Sequence, residues 1–128
     1  MKKKVLIIDD DEGILEALAL LLEEEGYAIK TTLRGDESLE VARLFKPDVI
    51  LLDILLSGSD GRLICKQLKQ EGSTKKIPVI MLSAHLSAEA NFSECGAEAF
   101  LAKPFETEDL LLKIESLTLR EEIGAVGS

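Results

Sequence analysis

The sequence predicts an α/β fold in which helices cover both faces of a parallel sheet. Short, wholly apolar runs recur along the 128 residues, at positions 5–8, 49–52 and 79–82. Strands that do not alternate between apolar and polar residues are buried on both faces, which is typical of parallel sheets between helical layers. Helical patterns separate the runs, and strict alternation of strand and helix predicts an open sheet with right-handed crossovers.

The first half of the chain contains two helical patterns. Apolar residues recur with a period near 3.6 from position 14 to 22 and stop before Gly26, which predicts the first helix. Residues 27–31 are expected to form the second strand. A second helical stripe covers residues 39–45 and ends before Pro47, just ahead of the third strand.

The second half of the chain completes five strand–helix units. A third helix is predicted around residues 63–68 and ends near Gly72. A short fourth helix is predicted at roughly 87–95, followed by the fifth strand at 99–102. The last helix is expected to start near Thr107, a good N-cap residue with two acidic residues after it.

The charge balance excludes two classes of partner. The chain has 15 Lys and Arg against 24 Asp and Glu, which gives a formal charge of −9. A protein that binds nucleic acid or an anionic membrane gains its affinity from clustered Lys and Arg. We therefore expect neither direct nucleic-acid binding nor membrane binding by this chain.

Length and segment patterns predict one domain, residues 1–123, with 124–128 as a flexible tail or the start of a linker. The apolar run after the N-terminal lysines is too short for a signal peptide. The longest charge-free stretch, 77–88, is too short to span a bilayer. Cys65 and Cys95 lack a CxxC spacing and are expected to be buried thiols in a reducing compartment, which favours a cytoplasmic location.

Polar residues stand where each of four predicted strands ends. In an open parallel sheet the carboxyl ends of the strands share one edge, and ligands bind there. We therefore expect these side chains to converge on one pocket. In chain order they are Asp9, Asp10 and Asp11 after the first strand, Asp53 after the third, Ser83 after the fourth, and Lys103 with Pro104 after the fifth.

These residue types favour a pocket for a phosphoryl group. Carboxylates brought close together repel one another unless a cation or proton compensates, and a hard divalent ion with oxygen ligands is the natural solution. Mg²⁺ fits best, with Mn²⁺ as the other candidate. The ammonium group of Lys103 can offset further negative charge, and the hydroxyl of Ser83 can donate to a phosphoryl oxygen.

Each residue also has a purely structural interpretation. The acidic cluster from Asp9 to Glu12 could cap the first helix, because carboxylates near a helix N-terminus are stabilised by its dipole. Ser83 or Lys103 alone could be structural or simply exposed. Asp53 is harder to explain in this way, because a buried carboxylate is costly unless it is paired or bound to a metal.

The chain resembles the receiver domain of two-component response regulators from about residue 3 to residue 119. The segments that carry the resemblance are VLIIDDD at 5–11, VILLDILLSGSDG at 49–61, IPVIMLSA at 77–84 and GAEAFLAKPF at 96–105. The resemblance implies a doubly wound (βα)5, flavodoxin-like fold. Its five parallel strands would be ordered 2-1-3-4-5, with helices on both faces.

The resemblance also implies a role for each site residue. Asp53 aligns with the phosphoacceptor, which would also contact the metal. Asp9 and Asp10 align with the acid pair that holds Mg²⁺, and the backbone carbonyl of Leu55 aligns with a further metal ligand. The other implied catalytic groups are the hydroxyl of Ser83, which turns toward the phosphoryl group, and the ammonium of Lys103, which pairs with it.

Four further positions follow from the same resemblance. The backbone of Ala84 would contact the phosphoryl group, and the peptide bond between Lys103 and Pro104 would be cis. Phe100 aligns with the switch aromatic, although it could also be a plain core residue. His85 stands where side chains influence dephosphorylation in this family, or else it is a solvated loop residue.

The resulting prediction is a phosphorylation-dependent signalling switch and not an enzyme acting on a separate substrate; it would catalyse only its own phosphorylation and dephosphorylation. The donor would be a sensor histidine kinase or a histidine phosphotransfer protein. The output would pass to another protein or a fused effector domain, or to a homodimer, through the face made by the fourth helix, fifth strand and fifth helix.

Two other classes of function are alternatives to this prediction. A phosphatase of the haloacid dehalogenase type normally has a second Asp two residues after its nucleophile, and here that position is Leu55. A docking module that is never phosphorylated would be indicated by loss of an acidic residue or the lysine, and all of these are present.

Two segments depart from the common pattern of the family. The loop at 56–61 reads LSGSDG where MPGMDG is frequent, and loss of the proline is expected to loosen the chain near Leu55. The stretch from 83 to 96 is slightly shorter than usual, so the fourth helix is expected to be short or partly unwound. Asp11 replaces a common Glu, which is expected to matter little.

Overall fold

A computed structural model describes residues 2–56, 59–85 and 91–127, with side chains described as far as residue 119. Five parallel strands form one sheet, and a small antiparallel hairpin forms a second. In chain order the strands are β1 Lys4–Ile8, β2 Ala28–Thr32, β3 Val49–Asp53, the hairpin strands β4 Leu55–Leu56 and β5 Ser59–Asp60, β6 Val79–Ser83 and β7 Ala99–Ala102.

The main sheet has the order β2-β1-β3-β6-β7, which is the predicted order 2-1-3-4-5 when the hairpin is left out. All its pairings are parallel. The α-helices are α1 Glu12–Glu24, α2 Ser38–Phe45, α3 Gly61–Gln70 and α4 Thr107–Gly127. Two short 3₁₀ turns, Gly35–Glu37 and Phe92–Cys95, complete the described elements.

Successive residues of each central strand enter two different cores, as expected for a doubly wound sheet. In β1, Leu6 and Ile8 pack on the side of α2 and α3, where Leu68 is fully buried. Val5 and Ile7 pack on the opposite side against α1 and α4, where Leu22 is fully buried. This two-sided burial explains why the apolar runs show no alternation.

The helix ends refine the sequence predictions. Thr107 is the first residue of α4 and not its cap, because the carbonyl of Glu106 already accepts from the N–H of Leu110 at 3.3 Å. The helix continues to Gly127, through residues 124–127 that the sequence assigned to a tail or linker. Part of the predicted fourth helix, 87–90, lies outside the described residues, and the rest contains the 3₁₀ turn Phe92–Cys95.

The hairpin β4–β5 was not predicted from the sequence. Leu55 pairs with Asp60, and Leu56 pairs with Ser59. Both flanks of the loop that lacks the common proline are thus held by antiparallel pairing, while its tip, residues 57–58, lies outside the described residues. The hairpin leads directly into α3, whose cap is the carboxylate of Asp60, which accepts from the N–H of Arg62 at 2.9 Å.

The two cysteines are free thiols, and only one matches its predicted burial. Cys65 is buried on α3, and burial raises the pKa of its thiol. Cys95 is only partly buried, which corrects the expectation that both would be enclosed. It lies at the end of the 3₁₀ turn Phe92–Cys95, whose two middle residues are exposed, and it packs against the edge of the core without being enclosed by it.

Within the described residues, no helix combines the length and apolar character that a membrane crossing requires.

Candidate functional site

The predicted site residues lie at the carboxyl edge of the sheet because neighbouring strands end level with one another. Asp53 is the last residue of β3 and pairs with Leu82 of β6. Ser83 is the last residue of β6 and pairs with Ala102 of β7. Asp9 and Lys103 each follow directly after a strand. The parallel register therefore brings residues from four segments of the chain to one edge.

Three carboxylates form a compact cluster at this edge. Asp9, Asp10 and Asp53 each offer an oxygen, and these oxygens all lie within 4.8 Å of one another. Asp9 is fully buried and Asp53 is 7% exposed, whereas Asp10 is partly exposed. Such closeness of negative charge favours a compensating cation.

Asp11 has a different role from its neighbours. Its side chain caps α1, accepting from the N–H of Ile14 at 3.2 Å. Its own N–H donates to Asp9 Oδ1 at 3.0 Å, which helps to fix the orientation of the Asp9 carboxylate. The two interpretations of the acidic cluster therefore apply to different residues, because Asp11 caps the helix while Asp9 and Asp10 face the pocket cluster.

Lys103 supplies positive charge to the cluster. Its Nζ atom lies 3.0 Å from Asp9 Oδ2 and 3.6 Å from Asp53 Oδ2. The backbone N–H of Lys103 donates to the carbonyl of Ser83 at 2.8 Å, which anchors the start of the Lys103 segment to the end of β6. The following peptide bond, Lys103–Pro104, is cis, the isomer implied by the resemblance.

The electrostatic surroundings make ionised Asp53 costly. Burial raises the pKa of the Asp53 carboxyl most strongly, and the charges of Asp9 and Asp10 raise it further. Lys103 and the N–H of Leu55, which donates to Asp53 Oδ1 at 3.2 Å, act in the opposite direction. The net effect is a raised pKa, because burial together with the two neighbouring carboxylates outweighs the ammonium and the N–H.

This donor set fits a magnesium ion. Mg²⁺ prefers carboxylate and carbonyl oxygens, and the cluster supplies carboxylates whose charge is only partly neutralised by Lys103. Asp10 is partly exposed, so an ion from solvent can reach the cluster from its side. The arrangement can therefore hold a hard divalent cation beside the carboxylate of Asp53.

Ser83 is buried, but its hydroxyl already has a partner. Ser83 Oγ accepts from the N–H of His85 at 3.0 Å. His85 and Ala84 are both exposed, and His85 contributes its backbone to this contact. The chain directly after β6 is thus tied back onto the hydroxyl that the resemblance assigns to the phosphoryl group.

Phe100 is a core residue in this structure, with 6% of its surface exposed. Its ring packs against that of Phe92 on the 3₁₀ turn, with ring centroids 5.8 Å apart and planes tilted by 31°. The aromatic position on β7 is therefore in direct contact with the segment that connects β6 to β7. Such a contact can transmit a movement of one segment to the other.

Sequence reasoning missed one structural feature of the site. The chain from Asp53 to the start of α3 folds back on itself through the hairpin, and the N–H of Gly61 donates to the carbonyl of Ile54 at 2.8 Å. The small and polar residues of SGSDG indicate a turn. They do not indicate that the first residue of α3 lies against the backbone of the phosphoacceptor candidate.

Comparison with known proteins gives one consistent result. Residues 5–115 match the model of the family described as the response regulator receiver domain. The alkaline phosphatase synthesis transcriptional regulatory protein PhoP of Bacillus subtilis (strain 168) is 36% identical over 133 aligned positions. That alignment covers 100% of this chain but 53% of PhoP, so the chain spans about half the length of this curated relative.

Solved structures share the fold. A response regulator from Chloroflexus aurantiacus is 35% identical, with a TM-score of 0.87 over 93% of this chain and 99% of that one. The receiver domain of the sensor histidine kinase PA1611 from Pseudomonas aeruginosa, solved with a magnesium ion coordinated in its active site cleft, is 22% identical. Its TM-score is 0.84, over 92% of this chain and 98% of that one, a likeness of fold alone.

Proposed function

Because the chain belongs to the response regulator receiver domain family, we propose that Asp53 is the residue on which it accepts a phosphoryl group. A receiver domain is a phosphoaccepting switch, a signalling module and not an enzyme that turns over a separate substrate. The observation that carries the assignment is the position of Asp53 in the acidic cluster, next to the ammonium of Lys103.

The phosphodonor follows from the family. Receiver domains partner histidine kinases, and we propose that a sensor histidine kinase or a histidine phosphotransfer protein presents phosphohistidine to this edge of the sheet. The unit that responds is proposed to be residues 1–123. A cytoplasmic location is supported by the two free thiols.

The reaction needs a nucleophile and a means of stabilising charge. A carboxylate oxygen of Asp53 attacks phosphorus, so an O–P bond forms while the P–N bond to the histidine ring breaks and the ring nitrogen keeps the electron pair. The product is an aspartyl phosphate. Lys103, whose Nζ lies 3.6 Å from Asp53 Oδ2, pairs with the negative charge of the transferred group. Attack by water on the same phosphorus breaks the new O–P bond and returns the carboxylate.

The metal is proposed to be Mg²⁺, with Mn²⁺ as a substitute. Asp9, Asp10 and Asp53 would hold it through carboxylate oxygens, and Leu55 through its backbone carbonyl. When bound, the ion supplies positive charge that neutralises the phosphoryl oxygens in the transition state. The cluster itself supports this proposal, because among the described residues its three carboxylates face one ammonium, that of Lys103.

The switch is proposed to begin at Ser83. Its hydroxyl turns from the N–H of His85 to donate to a phosphoryl oxygen, while the N–H of Ala84 provides a second donor. This movement changes the segment that carries Phe92, and therefore the packing of Phe100. We propose that the altered face, made by the β6–β7 connection, β7 and α4, contacts an output protein, an effector domain or a second copy of the chain.

His85 has a separate proposed influence. Its exposed imidazole follows the residue that binds the phosphoryl group, so it can affect the approach of the water that hydrolyses the aspartyl phosphate. Equal dephosphorylation rates in wild type and His85→Ala would contradict this role.

The direct test is phosphorylation in solution. Wild-type protein and Asp53→Asn are incubated with acetyl phosphate and Mg²⁺ and weighed intact. We expect one added phosphoryl mass on the wild type and none on Asp53→Asn. No addition to the wild type would favour the docking module that is never phosphorylated. Equal addition to both proteins would reject Asp53 as the acceptor.

A further inference from the structure

The backbone that follows Asp53 is held by contacts on three sides. The N–H of Ile54 donates to the carbonyl of Leu82 at 3.0 Å, which continues the β3–β6 ladder. The carbonyl of Ile54 accepts from the N–H of Gly61 at 2.8 Å. Leu55, the next residue, pairs with Asp60 in the hairpin. The first turn of α3 therefore lies directly against the end of β3.

This close approach requires a residue without a side chain at position 61. A Cβ atom built on Gly61 would overlap the carbonyl oxygen of Asp53 and would lie 2.8 Å from Ile54 Cα and 3.0 Å from the carbonyl carbon of Asp53. All three atoms belong to the backbone, so no change of rotamer can relieve the overlap. Only a movement of α3 or of the chain after β3 can make room.

Gly35 shows why the kind of neighbour matters. A Cβ atom at Gly35 would also be crowded, but its nearest neighbours are side-chain atoms of Ile64 and Ser59. The closest of these atoms, Ile64 Cδ1, is the far end of a flexible side chain and can move by a change of rotamer, whereas the overlap at Gly61 is with the main chain of Asp53 and Ile54. Gly61 is therefore a described position at which a side chain would collide directly with the backbone of Asp53, the phosphoacceptor candidate.

We propose that Gly61 is a positioning residue for the magnesium site, setting the position of the Leu55 carbonyl relative to the carboxylate of Asp53. Asp53 itself is fixed by the sheet, because it pairs with Leu82 on β6. Leu55 belongs to the two-residue strand β4 and not to the main sheet, so its backbone has one strand partner where Asp53 is part of a five-stranded sheet. Displacement caused by a side chain at position 61 therefore falls mainly on Leu55. The inference rests on the proposed role of Leu55 as a metal ligand.

The first experiment compares Gly61→Ala with Gly72→Ala. Gly72 follows α3, and a Cβ atom there would meet nothing within 4 Å, so it is a matched control. Each folded protein is titrated with Mg²⁺ alone and followed by calorimetry. We expect Gly61→Ala to weaken Mg²⁺ binding about tenfold or more, as loss of support for a metal ligand commonly does. The control is expected to match the wild type.

The results separate this inference from the proposed function. If wild type fails to bind Mg²⁺, the proposed metal site is wrong. If wild type binds Mg²⁺ and folded Gly61→Ala binds it equally well, the metal site stands and the role of Gly61 is rejected. A parallel loss of affinity in Gly72→Ala would also reject it, because the effect would then not depend on the contact with Asp53 and Ile54.

A second measurement tests the positioning role of Gly61 if Gly61→Ala does not fold. Amide hydrogen exchange is measured for wild type with and without saturating Mg²⁺. Because coupling is reciprocal, an ion that binds Leu55 should stabilise the Gly61–Ile54 hydrogen bond. We expect exchange of the Gly61 amide to slow about threefold or more. An unchanged rate at Gly61 in the Mg²⁺-bound protein would overturn the proposal.

Discussion

The Nζ atom of Lys103 lies 3.0 Å from Asp9 Oδ2, although the two residues are 94 positions apart in the chain. The Asp9 side chain is 1% exposed and that of Lys103 is 19% exposed. A buried carboxylate without a counter-charge strongly destabilises the folded protein, because nothing then offsets the cost of its removal from water. This ion pair therefore links the stability of the fold to the charge balance of the site.

Replacing Lys103 with Met should destabilise the metal-free protein. We expect the free energy of unfolding in chelator to fall by about 3 kcal/mol, the cost of leaving a buried charge unpaired. Added Mg²⁺ should restore part of it, because the ion replaces the missing positive charge. Urea unfolding with chelator and with Mg²⁺ measures both effects. Lys66→Met, at an exposed position on α3, is the control and should change stability little. Equal unfolding free energies for the two variants would contradict the account.

Asp53→Asn should stabilise the metal-free protein at neutral pH. Burial raises the pKa of the Asp53 carboxyl in the folded state. Stability that the protonated carboxyl contributes is present below its ordinary pKa and is lost as pH rises through the raised folded value. At pH 7 in chelator the amide variant should therefore unfold at a higher temperature than wild type. The difference should shrink as the pH is lowered below the ordinary pKa of a carboxyl. A difference that is independent of pH would be inconsistent with this cause.

Asp10 and Asp11 should separate metal binding from helix capping. Asp11→Ala removes the cap of α1 and should cost about 1 kcal/mol of stability while leaving Mg²⁺ affinity close to that of wild type. Asp10→Asn should weaken Mg²⁺ binding about tenfold or more with little loss of stability in chelator. Urea unfolding and Mg²⁺ titration of both variants check the pair. If Asp11→Ala weakened Mg²⁺ binding and Asp10→Asn lowered stability, the roles assigned to the two residues would be wrong.

Ser83→Ala should uncouple phosphorylation from the response of Phe100. The variant keeps Asp53 and Lys103, so it should still accept a phosphoryl group from acetyl phosphate. It lacks the hydroxyl that accepts from the N–H of His85 and that is proposed to turn toward the phosphoryl oxygens. We therefore expect the change in the ring NMR signals of Phe100 on phosphorylation to be largely lost.

The control for Ser83→Ala is Ser116→Ala. Its hydroxyl donates to the carbonyl of Lys113 within α4 at 3.1 Å. This variant should respond to phosphorylation as wild type does. A full Phe100 response in phosphorylated Ser83→Ala would contradict the proposed switch.

Much of the site could be predicted because it depends on strand ends. Apolar runs identify β1, β3 and β6 to within one residue, and parallel strands place Asp9, Asp53 and Lys103 at one edge. The acidic run itself was ambiguous, because a carboxylate can cap a helix or face a pocket. Only the contact between Asp11 and the N–H of Ile14 assigns the capping role to Asp11.

The features that sequence reasoning missed depend on contacts and not on periodicity. Strands of two residues, such as β4 and β5, are too short to show a pattern. The requirement for glycine at position 61 arises from the backbone of Asp53, which the letters of the sequence do not reveal. The partial exposure of Cys95 likewise depends on how the 3₁₀ turn Phe92–Cys95 packs, which the order of apolar residues does not show.

The most direct test of the central claim is chemical identification of the phosphorylated residue. Wild-type protein is phosphorylated with acetyl phosphate and Mg²⁺ and then reduced with borohydride, which converts an aspartyl phosphate to homoserine. The position of homoserine is read by peptide mass spectrometry. We expect homoserine at position 53 in a reaction that requires Mg²⁺. Homoserine at another aspartate, or a phosphoryl group that survives reduction on a serine or histidine, would contradict it.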